Sequence, residues 1–213
     1  MVRWEPGAQD RLRQAALELY LKQGFEQTTV GEIARSVGLT ERTYFRHFAD
    51  KREVLFDGQD TLQQAFVDSV TAAPQDASPV ELVAAALAAS AEFFPAERRQ
   101  WSRQRQEVIV ANPPLQEREL LKMARLTAAF TKALRARGVP EPHATLAAES
   151  GTTVFTVAFL QWIADGETRS LADVETEVLA ELGTFAEQLS GHGSDRKAAR
   201  RRSPAAPTRR SRE

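Results

Sequence analysis

The chain has 213 residues, 42% of them hydrophobic and 27% charged, which is enough to bury a sizeable core in one large domain or two small ones. It contains no cysteine, which excludes a disulfide framework, a thiolate nucleophile and any cysteine-ligated zinc or iron–sulfur centre, and which fits a reducing compartment. The formal net charge of −1 conceals an asymmetry: residues 194–213 hold eight basic and two acidic side chains, whereas residues 57–193 hold eleven and nineteen, so a polyanion is attracted only to the ends of the chain.

The N-terminal MVRWEPGAQD lacks the apolar run of a signal peptide, and no later stretch reaches about 18 uninterrupted apolar residues, so the expectation is a cytoplasmic protein with no membrane partner. Alternating apolar and polar runs are nearly absent and apolar positions recur at helical spacing almost throughout, which predicts an all-α fold. The first helix, about residues 8–23, carries Leu12, Ala15, Ala16 and Leu19 on one stripe and stops at Gly24. Thr29 followed by Glu32 has capping-box spacing and opens a helix of two turns, with Val30, Ile33, Ala34 and Val37 inward. Gly38 ends it, and Thr40 can N-cap a third helix anchored by Thr43 or Tyr44 together with Phe48. Asp50 and Glu53 predict another capping box, and with it a fourth helix running from residue 50 past residue 68.

Ser78, Pro79 and Glu81 form a complete helix start, with N-cap, N1 proline and N3 acid, for a helix reaching about Phe94. Pro95, the Asn112-Pro113-Pro114 run, Gly138 with Pro140, and Gly166 then separate helices near 96–110, 115–137, 141–164 and 170–189. After Gly191 the chain is poor in apolar residues and rich in Arg, Pro and Ser, and is expected to be disordered.

Two short helices joined by a glycine turn match the DNA-reading helix-turn-helix, whose second helix enters the major groove N-terminus first. Arg42 can fork onto guanine O6 and N7, Thr43 can reach a phosphate or a thymine methyl, and Tyr44 offers a hydroxyl and a ring edge, with Arg46 and His47 a turn deeper. Thr29 and Thr40 sit at helix N-termini and Lys51 beside the expected fourth one, where amides and helix dipole favour phosphate. Phe45 and Phe48 are expected in the core.

The run TTVGEIARSVGLTERTYFRHFADKREVLF resembles the N-terminal module of TetR-type transcriptional repressors over about residues 10–56; beyond residue 60 only helical layout and length match. The resemblance implies phosphate contacts at Thr29, Thr43, His47 and Lys51 and base readout around Arg42 and Tyr44. This chain departs from the family in having Arg42 where a small residue is usual and Phe45 where a phosphate-binding Tyr is common. It implies a helix-turn-helix domain over 1–56, a ligand-binding and dimerisation domain over 57–193 and a basic tail over 194–213, about nine helices in all. It implies a homodimer in which the last two helices pair with their symmetry mates, a palindromic double-stranded operator, and a cavity for a small-molecule inducer.

Polar residues among aromatic ones suggest where that cavity lies: Trp101, Arg105, Phe130, Glu149, Thr152, Phe155, Thr156 and Phe159. No cofactor, metal site or catalytic residue is expected, since the histidines are His47, His143 and His192 and no spaced carboxylate–histidine motif occurs. Two rival readings stand beside the regulator: a constitutive DNA-binding protein whose second domain only dimerises, and a helical enzyme.

Overall fold

The computed structural model describes residues 7–201, with side chains as far as Leu189, and within them the fold is all-helical. Nine α-helices occur among the described residues: α1 (Ala8–Gln23), α2 (Val30–Ser36), α3 (Glu41–His47), α4 (Gln59–Ala72), α5 (Pro79–Phe93), α6 (Arg99–Val110), α7 (Pro113–Ala136), α8 (His143–Trp162) and α9 (Leu171–Arg201). The helix starts follow their caps. Thr29 and Ser78 each accept from the N3 amide while Glu32 and Glu81 reach back to the cap nitrogen, which satisfies two orphan donors at each end.

Two expectations are corrected here. The fourth helix does not begin at Asp50. Asp50 Oδ1 accepts from the amides of Arg52 (2.7 Å) and Glu53 (3.1 Å) and so caps only a short 3-10 turn, Glu53–Leu55, and α4 starts beyond Gly58, whose φ of +89° breaks the run. At the other end, α9 continues to Arg201, so residues 194–201 are helical where disorder was expected. The remainder of the expected tail, residues 202–213, lies outside the described residues.

Two buried clusters organise the chain. One is built from α4, α5, α7, α8 and α9 around Phe66, Phe130 and Trp162. The other joins α1, α2, α3 and the 3-10 turn, and it is completed by Val108 and Ile109 of α6 and Leu115 of α7. The head formed by α1–α3 therefore shares its core with the body. Within the first cluster, Ser90 Oγ lies in hydrogen-bond contact with Glu175 Oε1 at 2.6 Å, while Glu175 Oε2 is buried with no hydrogen-bond partner.

Burial pushes the Glu175 carboxyl up from 4.5 to about 8. A raised folded-state value means the group favours folding only while it is protonated, so stability should fall as pH rises from about 5 through 8, by at most roughly 5 kcal/mol. Urea unfolding at a series of pH values should show this slope in the native chain and lose it in Glu175→Gln.

Candidate nucleic-acid interface and ligand cavity

The turn between α2 and α3 closes as a Schellman motif: Gly38 N donates to Arg35 O at 3.0 Å and Leu39 N to Ala34 O at 2.8 Å, with Gly38 at φ +70°. Thr40 then caps α3, its hydroxyl accepting from the Thr43 amide at 3.2 Å and lying 3.1 Å from the Thr43 hydroxyl. With only seven residues, α3 cannot hold its conformation alone. It is pinned by Tyr44 and Phe48, both buried and with ring centroids 5.2 Å apart.

That pinning corrects the expectation for Tyr44, which does not offer its hydroxyl outward. The ring is fully buried and Oη donates to the carbonyl of Asp50 at 3.3 Å; nearby, Tyr20 Oη donates to Lys51 O at 2.7 Å. Burial drives both phenols well above their ordinary range, so they act only as neutral donors. Phe45 is the converse. Expected in the core, it is 53% exposed, because Tyr44 and Phe48 at i, i+4 define the inward stripe and Phe45 lies a hundred degrees around from Tyr44. Helical spacing alone identifies it as outward.

Lys51 has a structural partner as well. Its Nζ donates to Phe25 O at 2.7 Å and sits 4.1 Å from the centre of the Phe25 ring, so it clamps the corner between α1 and α2. The helical start beside it is that of the 3-10 turn Glu53–Leu55, and α4 begins only at Gln59. His47 is half-buried, with Nε2 enclosed and without a hydrogen-bond partner among the described residues. Thr29, Thr40, Arg42 and Arg46 are exposed and Thr43 partly so, which leaves Glu41, Arg42, Phe45 and Arg46 as the long side chains exposed on α3.

The head is fastened to the body by charge as well as by its shared core. Glu53 pairs with Arg118 at 2.6 Å and Lys122 at 3.2 Å on α7, while Arg105 on α6 donates from Nε to Leu55 O at 2.7 Å. Burial works against the Glu53 charge, yet the Arg118 hydrogen bond and the Lys122 charge outweigh it and hold the carboxyl below its ordinary value. A lowered value contributes stability at neutral pH that is lost as pH falls through the carboxylate range. Glu53→Gln should therefore cost about 1–2 kcal/mol at pH 7, read as a drop of a few degrees in Tm, and the difference should close on acidification.

The expected cavity residues divide into three places. Trp101, Arg105, Phe155 and Phe159 do line one cavity, of about 60 Å³, enclosed by α4–α8 beneath the head. Phe130 does not: it is fully buried in the body core, its ring edge-on to Phe66 at 5.4 Å. Glu149, Thr152 and Thr156 line instead an open groove between α7 and α8, because Thr127 Oγ1 donates to Thr152 Oγ1 at 3.0 Å and ties the two helices together on that side. Sequence reasoning missed Ser102, Glu119 and Gln59, which share the first cavity and come from three different helices.

Comparison with known proteins follows the same division. The family of bacterial regulatory proteins called tetR matches residues 12–57, and the MftR C-terminal domain matches residues 77–186, more than half of the chain. Over 80 residues the chain is 40% identical to the HTH-type transcriptional regulator TcmR of Streptomyces glaucescens, a match covering 38% of this chain and 35%, about a third, of that relative. A TetR-family transcriptional regulator from Syntrophomonas wolfei superposes with a TM-score of 0.60 at 16% identity, covering 84% of this chain and 94% of that one. A TetR-family regulator from Mesorhizobium loti gives 0.52 at 20%, covering 84% and 94%. SmeT, the repressor of a Stenotrophomonas maltophilia multidrug efflux pump, gives 0.51 at 18%, covering 80% and 86%. The chain belongs to the tetR family of bacterial regulatory proteins.

Proposed function

We propose that this regulator is a cytoplasmic repressor that binds a palindromic double-stranded operator as a homodimer and is released by a small-molecule inducer held in its body. The observation that carries the reading is the outward presentation of Arg42, Phe45 and Arg46 on a helix whose inward residues, Tyr44 and Phe48, are locked. Arg42 and Arg46 supply donors for base edges, Phe45 an apolar surface for a thymine methyl, and Thr29, Thr40 and Thr43 the phosphate contacts. His47 stands at the edge of this surface. We take residues 1–56 as the reading head, 57–193 as the ligand-binding and dimerisation part, and 194–213 as a basic extension that adds sequence-independent attraction.

Dimerisation is supported by an apolar face on α8 and α9. Leu146, Val157, Leu160, Phe185 and Leu189 are each between 46% and 61% exposed there, whereas Val154, Ala158 and Val174 of the same helices are consumed by the core. Two heads about one helical turn of DNA apart, or a multiple of it, double the discrimination of one.

The test is selection of the purified full-length protein against a random double-stranded DNA library at near-physiological salt. Enrichment of a single inverted repeat is the expected result. A folded dimer that enriches nothing would overturn the reading.

A further inference from the structure

The cavity beneath the head has two unlike walls. Phe94, Phe155, Phe159 and Met123 supply an apolar surface, and Ser102, Glu119 and Gln59 a polar one. All three polar residues hold a buried oxygen with no hydrogen-bond partner among the described residues: Ser102 Oγ, Glu119 Oε2 and Gln59 Oε1. Such atoms are rare in a folded chain, because each forfeits the bonds it made to water.

Ser102 is informative because serines elsewhere in this chain behave differently. Ser36, Ser69 and Ser90 each donate to the carbonyl three residues back, whereas Ser102, only 1% exposed, does not. Glu119 is half used. Its Oε1 accepts from Arg105 Nη1 at 3.1 Å, and its second oxygen is idle.

Each arginine of the cavity is anchored by the protein through part of its guanidinium. Arg98 donates to Phe93 O at 2.9 Å and lies over the Phe93 ring at 4.5 Å, and Arg105 donates to Leu55 O and lies over Phe56 at 5.0 Å. The buried atoms left without a partner in the cavity are therefore all oxygens, of which the Gln59 carbonyl and the Glu119 carboxylate can only accept and the Ser102 hydroxyl can accept or donate. An ionised carboxylate can only accept.

We propose that this cavity binds a small ring-bearing molecule whose polar end donates hydrogen bonds, an amine or alcohol and not a carboxylate, with Glu119 and Ser102 receiving that end and Phe155 and Phe159 the ring. This rests on the ligand-responsive reading above and names its ligand class. An ammonium gains further from the aromatic faces, while a carboxylate would meet Glu119 as a like charge in a poorly screened site. At about 60 Å³ the cavity is smaller than the ~150 Å³ that admits a benzene ring, so entry must widen it.

Glu119 links that widening to the head. A ligand donor that draws the carboxylate away from Arg105 loosens the residue that grips Leu55 O, at the joint between head and body. Differential binding to the loosened state is what an inducer requires.

The test uses the full-length protein and three probes of equal size: 3-phenylpropylamine, 3-phenylpropanol and 3-phenylpropionate, titrated by calorimetry and by Tm. Molecules this small bind at about millimolar Kd at best, so probe concentrations should reach that range. The expected order is amine, then alcohol, with the carboxylate at least about tenfold weaker than the amine. Glu119→Gln should weaken the amine about tenfold and the alcohol by much less; Ser102→Ala, which spares the Arg105 pair, should weaken both and stands in if the first variant does not fold. Equal or tighter binding of the carboxylate overturns the proposal, as does no binding of any probe. Neither result touches the operator selection, so a failed ligand class and a failed regulator are distinguishable.

Discussion

Arg42→Ala should cut affinity for the selected operator by a factor of about thirty or more while leaving affinity for random DNA nearly unchanged. The side chain is exposed on the first turn of α3, makes no hydrogen bond or ion pair among the described residues, and so costs nothing in the fold when removed. A bidentate contact to guanine discriminates by about 1–3 kcal/mol, and two heads on a palindrome lose it twice, about 2–6 kcal/mol together. Arg42→Lys keeps the charge but not the fork and should lose nearly as much on the operator as Arg42→Ala does. The measurement is a fluorescence-anisotropy titration of operator and scrambled duplex at one salt concentration. Equal losses on both duplexes would make Arg42 a phosphate contact and return base readout to other residues.

Tyr44→Ala should have the opposite profile, destabilising the protein by about 3–5 kcal/mol and abolishing binding to every duplex alike. The ring is fully buried, packs on Phe48 and edge-on to Phe45 at 5.7 Å, and supports a helix of seven residues with no independent stability. Tyr44→Phe keeps the ring and removes only the hydroxyl's contacts to the Asp50 and Lys51 carbonyls, so it should cost about 1 kcal/mol and leave operator choice intact. Urea unfolding followed by circular dichroism, with operator titration of the phenylalanine variant, checks both. A phenylalanine variant of native stability with altered operator preference would mean that the hydroxyl reads DNA after all.

Much of the local structure was legible in the chain. Thr29 with Glu32 and Ser78 with Glu81 predict capping boxes that form, and Gly38 predicts the left-handed terminator that separates α2 from α3. These signals work because both partners lie within one turn of chain. The same spacing at Asp50 and Glu53 misled, since Glu53 finds Arg118 and Lys122 on α7 and leaves Asp50 to cap a 3-10 turn. A long-range ion pair outcompeted a local cap.

By itself, then, the sequence determined the helical class, the helix-turn-helix and its family, because periodicity, capping and turn glycines act between near neighbours. Only the tertiary structure decided which side chains are free to act. Tyr44, polar and in a matching position, is spent on the carbonyl of Asp50, and Lys51 gives one bond to the carbonyl of Phe25, while Phe45 is left outside. The cavity followed the same rule: Glu119, Ser102 and Gln59 are brought together from α7, α6 and α4, and Glu149, Thr152 and Thr156 are turned away from it to another groove. Burial and partnership depend on how helices distant in the chain cross, and no spacing within one helix encodes that.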